Sequence, residues 1–362
     1  MNAFTYPDYL APLVPWLSDP EVLEIMVNSH DNVYLERSGR LVKVESPFDS
    51  EEQLLEVMRA IADALGRRLD EMSPYTDARL SDDSRVNMVI PPIAIHGPSL
   101  VIRKFGTGCL TIEELIRFGS WNEDIVTFLR TAVIARLNIV VAGFTGSGKT
   151  NLLNALAGMI PDDERIVTVE NAAELRLPQR RVVPMESRPP DMEGRGEITI
   201  RDLVRNALKM RPDRIVVGEV RGGEAFDILR AMTTGHDGSM FTIHANNPRD
   251  ALARLETMSA MANPSVPLLN LRQQMTAAVD LIVQVERMPD GSRKVVTVTE
   301  VQGMQGDVVW LQDIFVFRQT GGTKEGRIQG YHTATGVTPK WLSYLKPRGI
   351  EPPLPISMFV PK

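Results

Sequence analysis

A chain of 362 residues exceeds the size at which one hydrophobic core stops growing, so two domains are expected, each burying its own core. Apolar residues at 43% and charged residues at 24% describe an ordinary globular protein, and no run approaches the about eighteen apolar residues of a membrane span, so a soluble chain is expected. A formal charge of −6 excludes a general pull toward nucleic acid or anionic lipid, and the single Cys109 excludes an intramolecular disulfide or a cysteine zinc cluster.

The start, Met1-Asn-Ala-Phe-Thr-Tyr6, has neither the charged nor the apolar region of a secretory signal, which with the lone cysteine fits a reducing cytosol. Val33 to Glu36 and Leu41 to Val44 flank Arg37-Ser-Gly-Arg40, a hairpin signal, and Glu51 to Leu65 carries apolar residues at helical spacing. A second hairpin is expected at Ser81-Asp-Asp-Ser84, with Arg79 and Arg85 on its arms, and Leu100 to Lys104 reads as a further strand. Residues 1–105 therefore read as an α+β domain. Gly106-Thr-Gly108 resists helix and strand alike, so 106–112 reads as a linker and 113–362 as a second domain.

In that second part short apolar runs, Ile139 to Ala142, Ile166 to Glu170, Ile215 to Gly218 and Met240 to Ile243, alternate with helical patterns. Helices fit at Asn151 to Gly158, Arg201 to Met210 and Glu224 to Thr233, so an α/β domain with a mostly parallel sheet covered on both faces is expected. Leu281 to Glu286 and Lys294 to Val301 flank Met-Pro-Asp-Gly and predict an antiparallel hairpin extending that sheet. The tail from Pro347 is proline-rich and expected to be extended.

The first apolar run feeds into Gly143-Phe144-Thr145-Gly146-Ser147-Gly148-Lys149-Thr150, and Asn151 continues as helix. Three glycines let the backbone curl so that N–H groups point at phosphate oxygens from the positive end of a helix. Lys149 is placed to reach the β- and γ-phosphates and the Thr150 hydroxyl to ligate Mg²⁺, which predicts ATP binding and hydrolysis. Hydrolysis also needs carboxylates for the water and the metal's water shell, directly or through water. Glu170 and Glu219 end two of the predicted strands at the edge where α/β folds bind ligands. Their alternative reading is helix capping or pairing with an arginine such as Arg221. His236 and His244 bracket another strand; γ-phosphate sensing, contact with a neighbouring subunit and simple hydrogen-bond satisfaction all stay open for them.

Longer phrases add a family resemblance. Glu24-Ile-Met-Val-Asn, Asp77-Ala-Arg-Leu, Ser84-Arg-Val-Asn, Pro98-Ser-Leu-Val-Ile-Arg-Lys-Phe, Arg211-Pro-Asp-Arg-Ile-Val-Val-Gly-Glu-Val-Arg-Gly-Gly-Glu224 and Thr234-Gly-His-Asp-Gly-Ser resemble the CpaF-type ATPases of tight adherence (Tad/Flp) pili, in the secretion-motor superfamily of type II and type IV secretion. The resemblance implies a PAS-like N-terminal domain, a RecA-like P-loop NTPase domain, a homohexamer and ATP held between the two domains. It implies inner-membrane platform proteins as partners, no nucleic acid, and a cytoplasmic site at the membrane face. It puts Glu170 in an acidic box, Glu219 in Walker B and both histidines in a histidine box, and brings Arg79, Arg85 and Arg103 toward the phosphates. Asn171 departs from the aspartate usual there, Asn151 replaces a common threonine, and the four-cysteine zinc insert of one branch is missing. These ATPases commonly carry an additional N-terminal region that this match does not include. A conjugative or effector-translocating type IV secretion ATPase is the runner-up; a DNA-dependent helicase, a small-molecule kinase and a non-hydrolysing nucleotide-binding scaffold are the alternatives from other classes.

Overall fold

The computed structural model describes residues 6–37, 40–104, 109–190, 193–323, 326–345 and 354–361. The chain divides into two compact units, Met1–Gly108 and Cys109–Lys362.

The first unit opens with a 3₁₀ turn, Asp8–Leu13, and the short helix α1 (Val14–Leu17). Strands β1 (Val22–Ser29), β2 (Asn32–Arg37) and β3 (Arg40–Val44) precede helix α2 (Glu51–Ala64), and β4 (Tyr75–Arg79), β5 (Arg85–Val89) and β6 (Ser99–Arg103) follow it. The sheet order is β3-β2-β1-β6-β5-β4 with every neighbouring pair antiparallel. Both expected hairpins form, although residues 38 and 39 of the first lie outside the described residues. Asp83 takes φ +69 in the second turn, where the Asp82 carboxylate accepts the Ser84 N–H. Helix α2 starts where the Ser50 hydroxyl accepts the Gln53 N–H, and Glu51 and Glu52 suit its positive end. Its buried Leu54, Met58 and Ile61 share one core with Ile25, Val27, Val86, Met88, Leu100 and Ile102. Strand alternation then turns Glu24, Arg103, Arg85 and Arg79 to the other face, where they stand side by side as register partners. Strand β1, at the centre of this sheet, was not among the expected elements.

Residues 105–108, holding Gly106-Thr-Gly108, lie outside the described residues. Thr111, expected as linker, instead caps α3 (Ile112–Arg117) in a capping box with Glu114. The second unit continues through α4 (Glu123–Ile134), β7 (Ile139–Gly143), α5 (Lys149–Ala157), β8 (Ile166–Glu170), β9 (Val182–Glu186), α6 (Ile200–Ala207), β10 (Arg214–Val220), α7 (Glu224–Thr233), β11 (Met240–His244), α8 (Pro248–Ala262) and α9 (Leu268–Ala278). It ends with β12 (Leu281–Arg287), β13 (Arg293–Gln305), β14 (Val308–Gly322), β15 (Ile328–Ala334), α10 (Leu342–Leu345) and a 3₁₀ turn, Ile356–Phe359, in the tail expected to be extended.

The order β15-β14-β13-β12-β7-β11-β10-β8-β9 is parallel from β12 to β9 and antiparallel from β12 to β15. The fold is thus α/β, with a small N-terminal sheet unit and a larger, mostly parallel one. Every residue of β7 and β8 is buried, which is why β7 reads as an unbroken apolar run and β8 as one broken only by Thr168 before its terminal Glu170. One face carries α4 and α5 against Val141 and Val283; the other carries α6 to α9 against Val140, Ala142 and Ile282. At the amino edge of the sheet, the buried Asn138 amide joins β7, β11 and β12: Oδ1 accepts from Gly238 and Ser239 N–H, and Nδ2 donates to the Ala278 carbonyl. The carboxyl edge is left to Gly143, Glu170, Glu219 and His244.

Candidate functional site

The phosphate loop leaves β7 at Gly143 and enters α5 at Lys149. Its shape demands glycine at three points. A Cβ on Gly143 would lie 2.3 Å from the Val285 carbonyl oxygen, and Gly146 and Gly148 adopt φ +74 and +94. No side chain caps α5, so its first amides stay with the loop. Ser147 is buried and its hydroxyl donates to the Phe144 carbonyl at 2.8 Å, closing the turn; Phe144 itself is exposed. Lys149 Nζ donates to the same carbonyl at 3.0 Å and lies 3.5 Å from His244 Nε2. Amides and one ammonium converge here, a donor set that fits a phosphate chain.

A line of contacts ties this loop to β11 and β10. Thr145 Oγ1 lies 2.9 Å from His244 Nε2, His244 Nδ1 contacts Glu219 Oε1, and Arg221 Nε donates to Glu219 Oε2 at 2.7 Å. Burial and the Lys149 charge lower the His244 pKa below its usual value, against the pull of Glu219. Neutral His244 therefore donates through Nδ1–H to the carboxylate and accepts at Nε2 from the Thr145 hydroxyl. The aim of Glu219 has a local cause: the register of β10 against β11 slips between Val217 and Val220, and the Thr242 hydroxyl fixes the slip by donating to the Gly218 carbonyl at 2.6 Å. A cavity of about 320 Å³ opens beside these contacts, lined by Val220, Arg221, His244, Arg254, Thr257 and Met258.

Glu170 is buried at the end of β8, and its carboxylate accepts from the Glu174 N–H at 2.9 Å and the Leu175 N–H at 3.1 Å. It thus organises the turn after its strand. It also packs on Gly218, where a Cβ would meet Glu170 Cγ at 2.9 Å. Asn171 is exposed and its side-chain oxygen accepts from the Ser187 hydroxyl at 3.1 Å. Thr150 and Asn151 sit half-buried in the first turn of α5. Among the described residues no group of three His, Cys, Asp or Glu gathers as a metal site. Thr150 beside a phosphate loop fits Mg²⁺, which takes most of its oxygens from phosphates and water.

His236 is not brought to this site. It precedes β11, whose first residue pairs with Ile139 at the amino end of β7, whereas His244 pairs with Gly143 at the other end. Arg79, Arg85 and Arg103 belong to the first unit, where Arg79 also pairs with Asp83 at 3.3 Å. Two further arginines escaped the sequence reading. Arg287 and Arg293 are cross-strand partners at the tip of the β12–β13 hairpin, and Arg293 Nε donates to the Gly146 carbonyl at 3.0 Å. The signal was present as two arginines flanking Met288 to Ser292, the turn of the expected hairpin.

Residues 8–339 match the family model described as type II/IV secretion system protein. A Mycobacterium tuberculosis protein named for conjugal transfer is 37% identical over 311 residues, covering 83% of this chain and 88% of the relative. The type IV secretion system protein PtlH of Bordetella pertussis is 36% identical over 308 residues, covering 77% of this chain and 89% of PtlH. Among solved structures, the ATPase DotB of Legionella pneumophila aligns with a TM-score of 0.58 at 20% identity, over 83% of this chain and 82% of DotB, a likeness of fold.

Proposed function

This chain belongs to the type II/IV secretion system protein family and is an ATPase, and from that premise we propose a Mg²⁺-dependent homohexameric motor that powers assembly of a tight adherence pilus. It works at the cytoplasmic face of the inner membrane on platform proteins of that machine. The observation that carries the hydrolytic reading is the contact line from Lys149 and Thr145 through His244 to Glu219, which joins the phosphate loop to a carboxylate at one edge of the sheet.

In this reading the loop amides and Lys149 hold the phosphates. Glu219 accepts the proton of the attacking water, and neutral His244 fixes that carboxylate and reports on the γ-phosphate side through Thr145. The Thr150 hydroxyl would hold Mg²⁺ together with the nucleotide, and the ion would supply neutralisation of the phosphate charge. Glu170 holds the neighbouring strand end and, through water, the metal's outer shell. Arg79, Arg85 and Arg103 supply further positive charge to the phosphates in this reading.

Glu219→Gln keeps the shape and removes the base. Turnover is expected to fall at least about a hundredfold while the Kd for ATP stays within about threefold. Phosphate release at the wild-type rate would remove Glu219 from this role. The names of the two relatives favour a second reading, the ATPase of a conjugative or effector-translocating type IV secretion system. Deleting the gene in its host separates the two: loss of surface pili supports the first, and loss of DNA or protein transfer with pili intact supports the second.

A further inference from the structure

Strand β12 is buried from Leu281 to Val285, and within that apolar run stands one amide, Gln284, 1% exposed. Its register partner on β7 is Ala142, the residue before the phosphate loop, and Ala142 in turn pairs with Ile243 on β11. Gln284 alternates with Ile282 on the face covered by α6 to α9, where Ala142 offers only a methyl group. The amide passes beneath β7, and Nε2 donates to the Ala245 carbonyl at 3.1 Å, one residue past His244. Ala245 is thus held twice, because its N–H donates to the Gly143 carbonyl at 3.4 Å. On the far side of β11 the Thr242 hydroxyl donates to the Gly218 carbonyl. His244 lies between these two anchors.

We propose that Gln284 is a positioning residue for hydrolysis, its amide holding the His244–Ala245 end of β11 against the start of the phosphate loop; this rests on the reading of His244 and Glu219 above. Packing does not account for the amide. Its Oε1 is enclosed with no hydrogen-bond partner among the described residues, so a methionine of similar reach would fill the space without burying an unbonded carbonyl. What methionine lacks is the donor for Ala245. That bond fixes the backbone from which the His244 ring meets Thr145 and Glu219, contacts that work only with the ring held to within about half an ångström. Without it the ring loses its fixed place between loop and carboxylate, while the amides and Lys149 that hold phosphates stay where they are.

The test follows ATP turnover on the full chain across pH for wild type, Gln284→Met and Gln284→Glu, with Glu219→Gln as control. Gln284→Met is expected to lower kcat about tenfold, keep KM for ATP within about threefold and leave the urea midpoint near that of wild type. Lys149, Glu219, Arg221 and, across the cavity, Arg254 are the charged groups around the His244 ring, and a loosened ring titrates closer to the ordinary histidine value. The acid limb of kcat/KM should therefore move to higher pH in Gln284→Met. Gln284→Glu supplies the donor only while protonated, so its rate relative to wild type should be highest at low pH and fall as pH rises. A folded Gln284→Met with wild-type kcat overturns the proposal, as does a slow one whose acid limb has not moved, or a Gln284→Glu ratio that is flat across pH. Undiminished turnover in Glu219→Gln would instead overturn the site reading on which the proposal rests.

Discussion

His244 stands between two groups with opposite demands. Lys149 and burial favour the neutral ring, whereas Glu219 favours the charged one, and the balance leaves its pKa below the usual histidine value. Only the neutral ring can accept from Thr145 while donating to Glu219. Activity that needs this tautomer is therefore expected to persist as pH falls to 6.5 and to drop only at lower pH, where the ring becomes charged. His244→Gln should lower turnover by roughly a hundredfold and abolish that acid limb, read from kcat/KM against pH. An acid limb centred above pH 6.5 in the wild type would contradict the neutral assignment. At this scale residue type and spacing disclosed Lys149, Thr150, Glu219 and His244 as candidates but could not show their contacts. They could not separate His236 from His244 either: His236 lies before the Asp237-Gly238 turn that leads into β11 at the amino edge, whereas His244 ends that strand at the other edge. Nor could spacing reveal the bulge at Gly218, which depends on a threonine hydroxyl from the neighbouring strand.

Elements buried on both faces announced themselves, because β7, β8, β10 and β11 are built mainly of apolar residues, with Thr168 and Thr242 the polar side chains inside the runs of β8 and β11. Strand β9 did not: it is the last strand of its sheet and carries Pro184, a residue that fits only an edge. Strands β14 and β15 run into partly exposed, glycine-containing ends that resemble loop, and they form because β13 supplies a template. The amino edge of the large sheet depends on one crowded junction. Arg214 is fully buried at the start of β10, with Nε and Nη2 on the Glu164 carboxylate at 2.6 and 2.9 Å, and Arg136 reaches the same carboxylate at 3.0 Å. Gly238 admits that guanidinium: it takes φ +82, and a Cβ would fall 2.0 Å from Arg214 Nη1. Gly238→Ala must either displace the arginine or break the turn into β11, so a loss of about 2–4 kcal/mol is expected from urea midpoints. A change below about 1 kcal/mol would mean that the buried ion pair relaxes freely.

At the scale of the whole molecule, each unit carries its own set of candidate charged groups. The second holds the phosphate loop, Glu219 and His244. The first holds Arg79, Arg85 and Arg103 in adjacent register on the sheet face turned away from its core, with Glu24 beside Arg103. Arg79 also pairs with Asp83, and the anion-facing role proposed above is one that substitution can separate from folding. These arginines lie away from the core, so Arg85→Ala with Arg103→Ala should leave the unit folded while lowering turnover by about a thousandfold, the scale of losing a catalytic arginine. If the motor turns over only when assembled, phosphate release per subunit should rise along a dilution series together with the hexamer population counted by mass photometry. The double-arginine variant should assemble along the same curve yet stay slow at every concentration. A wild-type rate that is flat while hexamers dissociate would confine hydrolysis to the isolated subunit and remove the motor reading, and a fast double variant would return the arginine row to a purely structural role.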